Sequence, residues 1–202
     1  VCGCVGLALW LAPRTGYWLH TSHWSRRVLA VALCLPMVFY RPGAPMVGDF
    51  RVTMFDIGQG NGVLIETRSH RLLYDTGPPY GPADDAGRRV IVPALRRQGI
   101  AALDALIISH PHDDHYGGAF AVLDAVPVRH LLASWPAQRS TGAAPAGGKG
   151  ATLPPLWRHA GSRGVMRRRC RAGQAWQWDG VRFETLWPVD PAQRAPPNHT
   201  SC

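Results

Sequence analysis

The chain has 202 residues, of which 46% are hydrophobic and 17% charged. This composition suits one domain, or one domain with a short appendage, and it excludes an acidic disordered tail or a polar low-complexity linker. Twenty-two basic residues against thirteen acidic ones give a net charge of +9. Such a basic surface favours polyanions or anionic lipid headgroups as partners.

The first forty residues contain two charge-free apolar runs, 1–12 and 28–40, separated by a polar segment with three arginines. Neither run reaches the roughly 20 residues that cross a bilayer comfortably. The second extends to about 17 residues if aromatic side chains anchor its ends and the arginines snorkel. We therefore predict that residues 1–40 are the end of a membrane region with one or two transmembrane segments. A signal peptide and a buried helix of a soluble domain are the alternatives for the second run.

The arginines also predict an orientation. If the second run spans, the positive-inside rule places the arginine-containing segment in the cytoplasm and everything after residue 41 outside. Residues 41–48 are rich in Pro and Gly and read as a linker. We thus expect a soluble domain, 49–202, on the extracytoplasmic side of the cytoplasmic membrane.

From residue 49 onward, short apolar runs rich in Val, Ile, Leu and aromatic residues alternate with helix-like segments. An Asp-Gly pair at 179–180 is a strong signal for a hairpin turn. This alternation predicts an α/β fold, in which a sheet is covered by helices. The predicted strands are 50–57, 62–68, 71–75, 105–109, 128–134, 165–170, 175–178 and 181–186, and the predicted helices follow Gly87 up to Gly99 and occupy 119–125 and 154–162, with a Gly/Ala/Pro loop at 136–152.

The five cysteines are widely spaced and include no C-x-x-C pair. They are too sparse for a disulfide framework, so we predict that most are free thiols. They are Cys2, Cys4, Cys34, Cys170 and Cys202.

The densest chemical signal is the segment SHPHDDHYGG at 109–118, which follows a continuous apolar run typical of a buried strand. His110 and His112 should point to the same side, because side chains of extended backbone repeat every two residues. Asp114 and His115 then follow in the loop, where they could hold a second ion. Imidazole and carboxylate ligands suit zinc or manganese, and two ions are a standard device for hydrolysing phosphodiesters. The motif therefore predicts a metal site.

This motif resembles the signature of the metallo-β-lactamase superfamily. Its flanks look like the extracytoplasmic metallo-hydrolase domain of ComEC-type DNA-internalisation competence proteins, and the resemblance covers essentially the whole chain. The matching segments are MFDIGQGNGVLIET (54–67), LLYDTGP (72–78), VIVPALRRQGI (90–100), LDALIISHPHDDHYGG (103–118) and PPNHTSC (196–202).

The resemblance implies a metallo-β-lactamase-like αββα sandwich whose C-terminal part is missing here. It implies that His110 and His112 are ligands of a first divalent ion, Zn or Mn, and that Asp114 and His115 are ligands of a second. Asp114 would also be the catalytic residue, orienting the nucleophile. The later ligands would lie beyond Cys202, since His199 is not at a metal-binding position of the family, and the chain alone would lack a complete site.

The implied function is DNA uptake in natural transformation, by metal-dependent phosphodiester hydrolysis or handling of incoming DNA at the membrane. DNA, the membrane and other DNA-uptake components would be the partners. The complete protein would be a nuclease-like metal-dependent hydrolase. Two alternatives remain open: another hydrolase of the superfamily, such as a lactonase or thioesterase, and a non-catalytic DNA-guiding module or truncated remnant.

Several secondary features have two interpretations. Polar residues of the two glycine-rich turns, Asp56, Gln59, Asn61 and Asp75, either support the metal ligands or form the turns; position 61 is Asn where the family often has Asp. Arginines at 167–169 and 171 form either a phosphate-contacting stripe or a solvated edge strand. The tryptophans Trp176, Trp178 and Trp187, with Tyr116, either stack unpaired bases or pack a core.

Overall fold

The computed structural model of the chain describes residues 23–39, 43–134, 153–189, 199 and 201–202, which fall into two units, 1–43 and 44–202. The first unit contains helix α1, His23–Phe39, of 17 residues. At 1.5 Å per residue this helix is about 26 Å long, shorter than the roughly 30 Å hydrocarbon core. In the part of the chain that the structure describes, no helix is long and apolar enough to span a membrane. The predicted membrane segment over 28–40 stays a prediction, and the run 1–12 lies outside the described residues.

The second unit consists of short strands and helices in the predicted alternation. A π-helical turn, Gly87–Ile91, continues directly into α2, so the helix predicted after Gly87 begins with wider turns than expected and accommodates Pro93. The predicted loop at 136–152 lies outside the described residues. The helices are α2 (Val92–Arg97), α3 (Asp113–Tyr116), α4 (Ala119–Ala125) and α5 (Leu153–Ser162). The strands are β1 (Arg51–Met54), β2 (Val63–Glu66), β3 (Arg71–Tyr74), β4 (Pro79–Gly81), β5 (Asp84–Asp85), β6 (Leu103–Ile108), β7 (Val128–Ala133), β8 (Met166–Arg169), β9 (Ala175–Trp178) and β10 (Val181–Glu184).

Six of the strands form one mixed sheet in the order β1-β2-β3-β6-β7-β8. Strands β1, β2 and β3 are antiparallel neighbours, whereas β3, β6, β7 and β8 run parallel. Parallel neighbours need crossover connections, which the helices between them provide. Because parallel strands end at the same edge, residues that follow β3, β6, β7 and β8 are brought together there.

The main hydrophobic core lies between one face of this sheet and the helices. Strand β6 contributes Leu106 and Ile108, both fully buried, and they pack with Leu95 of α2 and Val122 of α4. The continuous apolar run of β6 is explained by burial on both faces, since Ala105 and Ile107 are buried in a second cluster on the opposite side.

The second face of the sheet is covered in part by the hairpin β9–β10. Its turn, Asp179-Gly180, has positive φ at both residues, 49° and 86°, as the Asp-Gly signal predicts. Trp176 and Phe183 stack at 5.4 Å and pack with Leu72 and Leu132 of the sheet. The core-packing interpretation of the hairpin tryptophans is therefore confirmed for Trp176.

The carboxylate of Asp179 attaches this hairpin to the sheet. It accepts hydrogen bonds from Thr67 Oγ1, Ser69 N and Ser69 Oγ, each at 2.7 Å, and lies 3.1 Å from His70 Nδ1. These bonds hold the pKa of Asp179 well below its usual range, Thr67 contributing most. The turn between β2 and β3 is thus bound to the turn of the hairpin.

The prediction of mostly free thiols is wrong for two of the cysteines. Cys170, which follows β8, forms a disulfide with Cys202, their Cα atoms 5.6 Å apart. Cys170 N donates to Ala133 O, and Cys202 N donates to Ser109 O at 2.8 Å. The two cysteines meet because both lie at the edge where the parallel strands end, which their 32-residue separation in sequence does not reveal. Cys34 is free.

Shortening a buried side chain of the central strand β6 should destabilise the sheet. Leu106→Ala removes a side chain that is 0% exposed, and we expect a loss of about 2–5 kcal/mol in the free energy of unfolding. Val52→Ala on edge strand β1, where Val52 is 49% exposed, should cost less than about 1 kcal/mol. Urea unfolding followed by circular dichroism measures both, and equal losses would contradict this core assignment.

Removing the disulfide should also destabilise the second unit. The Cys170–Cys202 bond closes a loop of 32 residues in the unfolded chain, worth about 3–4 kcal/mol in the chain-entropy description. Cys170→Ser should lower the unfolding free energy by this order and make stability independent of reductant. Cys34→Ser is the matched control, because Cys34 forms no disulfide. Wild-type stability that does not change with reductant would argue against the bond.

Candidate metal centre

The histidine motif begins where the central strand ends. Ser109 and His110 follow β6 directly and are buried, and the chain then enters the short helix α3 with Asp113 and Asp114 in its first turn. The parallel neighbour β3 ends at the same edge and is followed by Asp75. The two motifs singled out in sequence, LLYDTGP and SHPHDDHYGG, are therefore adjacent in the fold.

Asp75 is the central acceptor of this edge. It is 0% exposed and has a φ of 58°, in the left-handed region that Asp tolerates better than most residues. Its Oδ1 accepts from Ser109 N and its Oδ2 from Ser109 Oγ, both at 2.7 Å. Oδ2 also lies 2.7 Å from His115 Nδ1. Asp75 therefore forms the turn and also orients a histidine of the motif.

The bond from Asp75 determines which nitrogen of His115 is available. With Nδ1 bonded to the carboxylate, Nε2 is the atom left for another partner. His115 Nε2 lies 3.7 Å from Asp114 Oδ2. The hydrogen bond between His115 Nδ1 and the Asp75 carboxylate is the main reason why the pKa of His115 is raised. Burial of the ring acts in the opposite direction.

The other two histidines lie on the same side of the chain, as their spacing predicts. His110 Nε2 is 3.2 Å from His112 Nδ1, and the rings of His110 and His115 have centroids 4.0 Å apart. Burial is the main cause that lowers the pKa of His110, and the neighbouring His115 and His112 lower it further. Neutral imidazole, the form that binds metal ions, is thereby favoured at His110.

Close backbone packing supports the motif from two sides. Gly60, with φ of 94°, lies against the carbonyl of Asp114, and a Cβ at this position would collide with it. A Cβ at Gly118 would likewise collide with the backbone of Gly87 and Thr76. The second contact explains the glycine pair that ends the motif. The contact between Gly60 and Asp114 was not predicted from the sequence, although the glycine-rich pattern GQGNG could have indicated it.

The remaining polar positions of the two glycine-rich turns are on the surface. Asp56, Gln59 and Asn61 are exposed. His199 is exposed too, and its backbone carbonyl accepts from Trp187 Nε1 at 2.7 Å. None of the hydrogen bonds described for these four side chains reaches the histidine cluster.

Whether these residues fit a metal ion depends on donor chemistry and on arrangement. Three imidazoles and the half-exposed carboxylate of Asp114 are the donors that zinc and manganese take. Among the described residues, however, no three His, Cys, Asp or Glu side chains are arranged together to hold an ion. The donor set fits in kind, and His110, His112, Asp114 and His115 are the residues that would hold it.

The chain belongs to the metallo-β-lactamase superfamily, because residues 55–168 match the family model of that description. It is similar to Competence protein ComA of Neisseria gonorrhoeae, with 37% identity over 164 residues, which are 81% of this chain and 19% of that protein. It is also 29% identical over 170 residues to Recombination protein 2 of Haemophilus influenzae, covering 84% of this chain and 18% of that protein. The resemblance to ComEC-type competence proteins is confirmed by these relatives.

The comparisons also show how much of each relative the chain covers. The chain spans less than a fifth of the length of these curated relatives. A solved subclass B3 metallo-β-lactamase from a soil metagenome library has a TM-score of 0.42 and 21% identity, covering 68% of this chain and 49% of that one.

Replacing Asp75, which accepts a hydrogen bond from His115, should change the pKa of His115. In Asp75→Asn the left-handed backbone is tolerated but the charge is lost, so the pKa of His115 should fall, because only the charge of Asp114 then opposes the effect of burial. In the wild type, the contribution of this pair to stability is present below about pH 6.5 and lost as pH rises through the raised pKa of folded His115. This dependence should vanish in the variant. Histidine ring NMR with a chelator present measures the pKa, and Asp124→Asn, at the carboxylate beside His159, is the control.

Proposed function

We propose that this chain handles incoming DNA in natural transformation, as part of a metal-dependent hydrolase that cleaves phosphodiester bonds at the membrane. The observation that carries the proposal is the cluster of His110, His112 and His115 at the carboxyl edge of the sheet, in which Asp75 orients His115. The similarity to competence proteins supports DNA as the substrate class.

Each residue of the cluster has a role in this proposal. His110 and His112 would hold one divalent ion, Zn or Mn, and Asp114 with His115 would hold a second. Such ions stabilise negative charge on phosphoryl oxygens and make water a stronger nucleophile. Asp75 keeps Nε2 of His115 directed away from the core by binding its Nδ1. Asp114 is half-exposed, so its carboxylate can accept a hydrogen bond from an attacking water and orient it.

The charge of the chain suits this substrate. With a net charge of +9, the protein attracts a polyanion over a range set by the ionic strength. A location at the outer face of the cytoplasmic membrane, together with other DNA-uptake components, is part of the proposal and rests on the arginine-flanked apolar runs before residue 41. Because the chain spans only part of its relatives, it would supply part of the site in a longer protein.

Removing a proposed ligand should weaken metal binding. We expect His112→Ala to lower the affinity for Mn²⁺ or Zn²⁺ at least about tenfold, because it removes one of two imidazoles whose nitrogens lie 3.2 Å apart. Equilibrium dialysis with metal analysis measures the affinity, and release of nucleotides from single-stranded DNA with and without chelator measures activity. His199→Ala is the matched control, since His199 is exposed and lies outside the cluster.

Other outcomes would identify a different function. Cleavage of small esters with no action on single-stranded DNA would contradict the proposal and indicate a lactonase or thioesterase. DNA binding without cleavage, unaffected by chelator and by His112→Ala, would contradict hydrolysis and indicate a DNA-guiding module.

A further inference from the structure

A groove of about 320 Å³ lies on the second face of the sheet, away from the histidine cluster. Its floor is the sheet, with Ala105 of β6, His130 and Leu132 of β7 and Arg168 of β8. Its wall is the start of the hairpin, with Gln174, Ala175, Trp176 and Trp178. A volume of this size is at the lower end of the roughly 300–1,000 Å³ typical of small-ligand sites, so it suits a single small unit of a ligand.

The chemistry of the lining is cationic and aromatic. Arg168 is exposed, and none of the ion pairs within the described residues includes it. None of the described residues that line the groove carries a carboxylate, and burial and the nearby Arg168 lower the pKa of His130. A guanidinium without an anionic partner is well suited to a phosphate.

The indoles provide the apolar part. Trp178 stacks on His70 with centroids 4.9 Å apart and Trp176 stacks on Phe183, so both rings are held rigidly while they line the groove. Trp176 Nε1 is buried, and no described residue forms a hydrogen bond with it, so the part of this indole that lines the groove is its apolar ring. Rigid aromatic rings beside a cation are the combination that single-stranded nucleic acids bind.

Strand alternation separates this groove from the other arginines of β8. Arg168 pairs with Leu132 and shares its face of the sheet. Arg167 is on the opposite face, where it donates to Trp157 O at 2.8 Å. Arg169 is also on that face, because side chains alternate along a strand. The arginines of β8 therefore belong to two surfaces, and Arg168 is on the one that carries Trp176 and Trp178.

We propose that this groove binds one nucleotide of single-stranded DNA, with the base against Trp176 and Trp178 and the phosphate at Arg168. This inference rests on the proposed function and adds a positioning site outside the metal motif. A strand held here would be retained on the domain independently of the reaction at the histidines.

The test measures binding of fluorescein-labelled (dT)₁₅ to the 202-residue chain by anisotropy, with EDTA present, at several salt concentrations. Arg168→Gln should reduce the slope of log Kd against log salt by about 0.7, the value of one lost phosphate contact on a single strand. Arg169→Gln is the matched control, with the same charge change on the same strand and the opposite face. It should leave the slope unchanged.

A second measurement, photo-cross-linking, uses the wild-type chain and so does not require that any variant folds. An oligonucleotide with one 5-iododeoxyuridine is cross-linked by light, and the modified peptide is identified by mass spectrometry. Cross-links at Trp176 or Trp178 support the groove. Cross-links elsewhere, equal losses for the two arginine variants, or equally tight binding of the matching duplex would overturn it and leave the proposed function standing. Failure of the wild-type chain to bind any DNA would overturn both.

Discussion

The arrangement of the segment 109–118 depends on the buried carboxylate of Asp75, because its hydrogen bonds join three separate parts of the fold. It follows β3, it accepts two hydrogen bonds from Ser109 at the end of β6, and it binds Nδ1 of His115 beyond that strand. A buried carboxylate is costly unless it is fully hydrogen-bonded, and three donors at 2.7 Å meet that requirement. One of these bonds also orients His115. The same carboxylate therefore stabilises the carboxyl edge of the sheet and positions a histidine of the motif.

The parallel arrangement of β3, β6, β7 and β8 decides where the chemistry lies. Their carboxyl ends bring Asp75, Ser109, Ser134 and Cys170 to one edge, and Cys202 is held there by its backbone bond to Ser109. This agrees with the general rule that open sheets with parallel strands carry their ligands at the carboxyl ends. The two faces of the sheet then differ, one covered by helices and one by the β9–β10 hairpin.

Local signals in the sequence were sufficient for most of the fold. The apolar run of β6, the Asp-Gly turn and the helix at Ala119–Ala125 depend on neighbours within a few residues, and all three are confirmed. The same-side placement of His110 and His112 follows from strand geometry and is seen at 3.2 Å. The assignment of these residues as metal ligands stays a prediction, because nitrogens 3.2 Å apart and ring centroids 4.0 Å apart show proximity rather than coordination.

Contacts between distant segments could not be predicted in this way. The disulfide joins residues 32 positions apart, and the approach of Gly60 to Asp114 joins a turn after β1 to the loop after β6. Both depend on how the strands are ordered in the sheet, which hydropathy does not encode. The apolar run 28–40 forms most of helix α1, and its assignment to a membrane stays a prediction.

The hydrogen bonds to Asp179 have a consequence for how the second unit opens. A hairpin of two four-residue strands is marginal by itself, yet here its turn holds the backbone amide of Ser69 and two hydroxyls of the β2–β3 connection. Peeling the hairpin away would break these bonds and expose the stacked aromatic rings in the same event. The hairpin and the antiparallel half of the sheet therefore form one cooperative block in hydrogen exchange, and the Ser69 amide, although close to solvent, should exchange with the strands rather than with the loops.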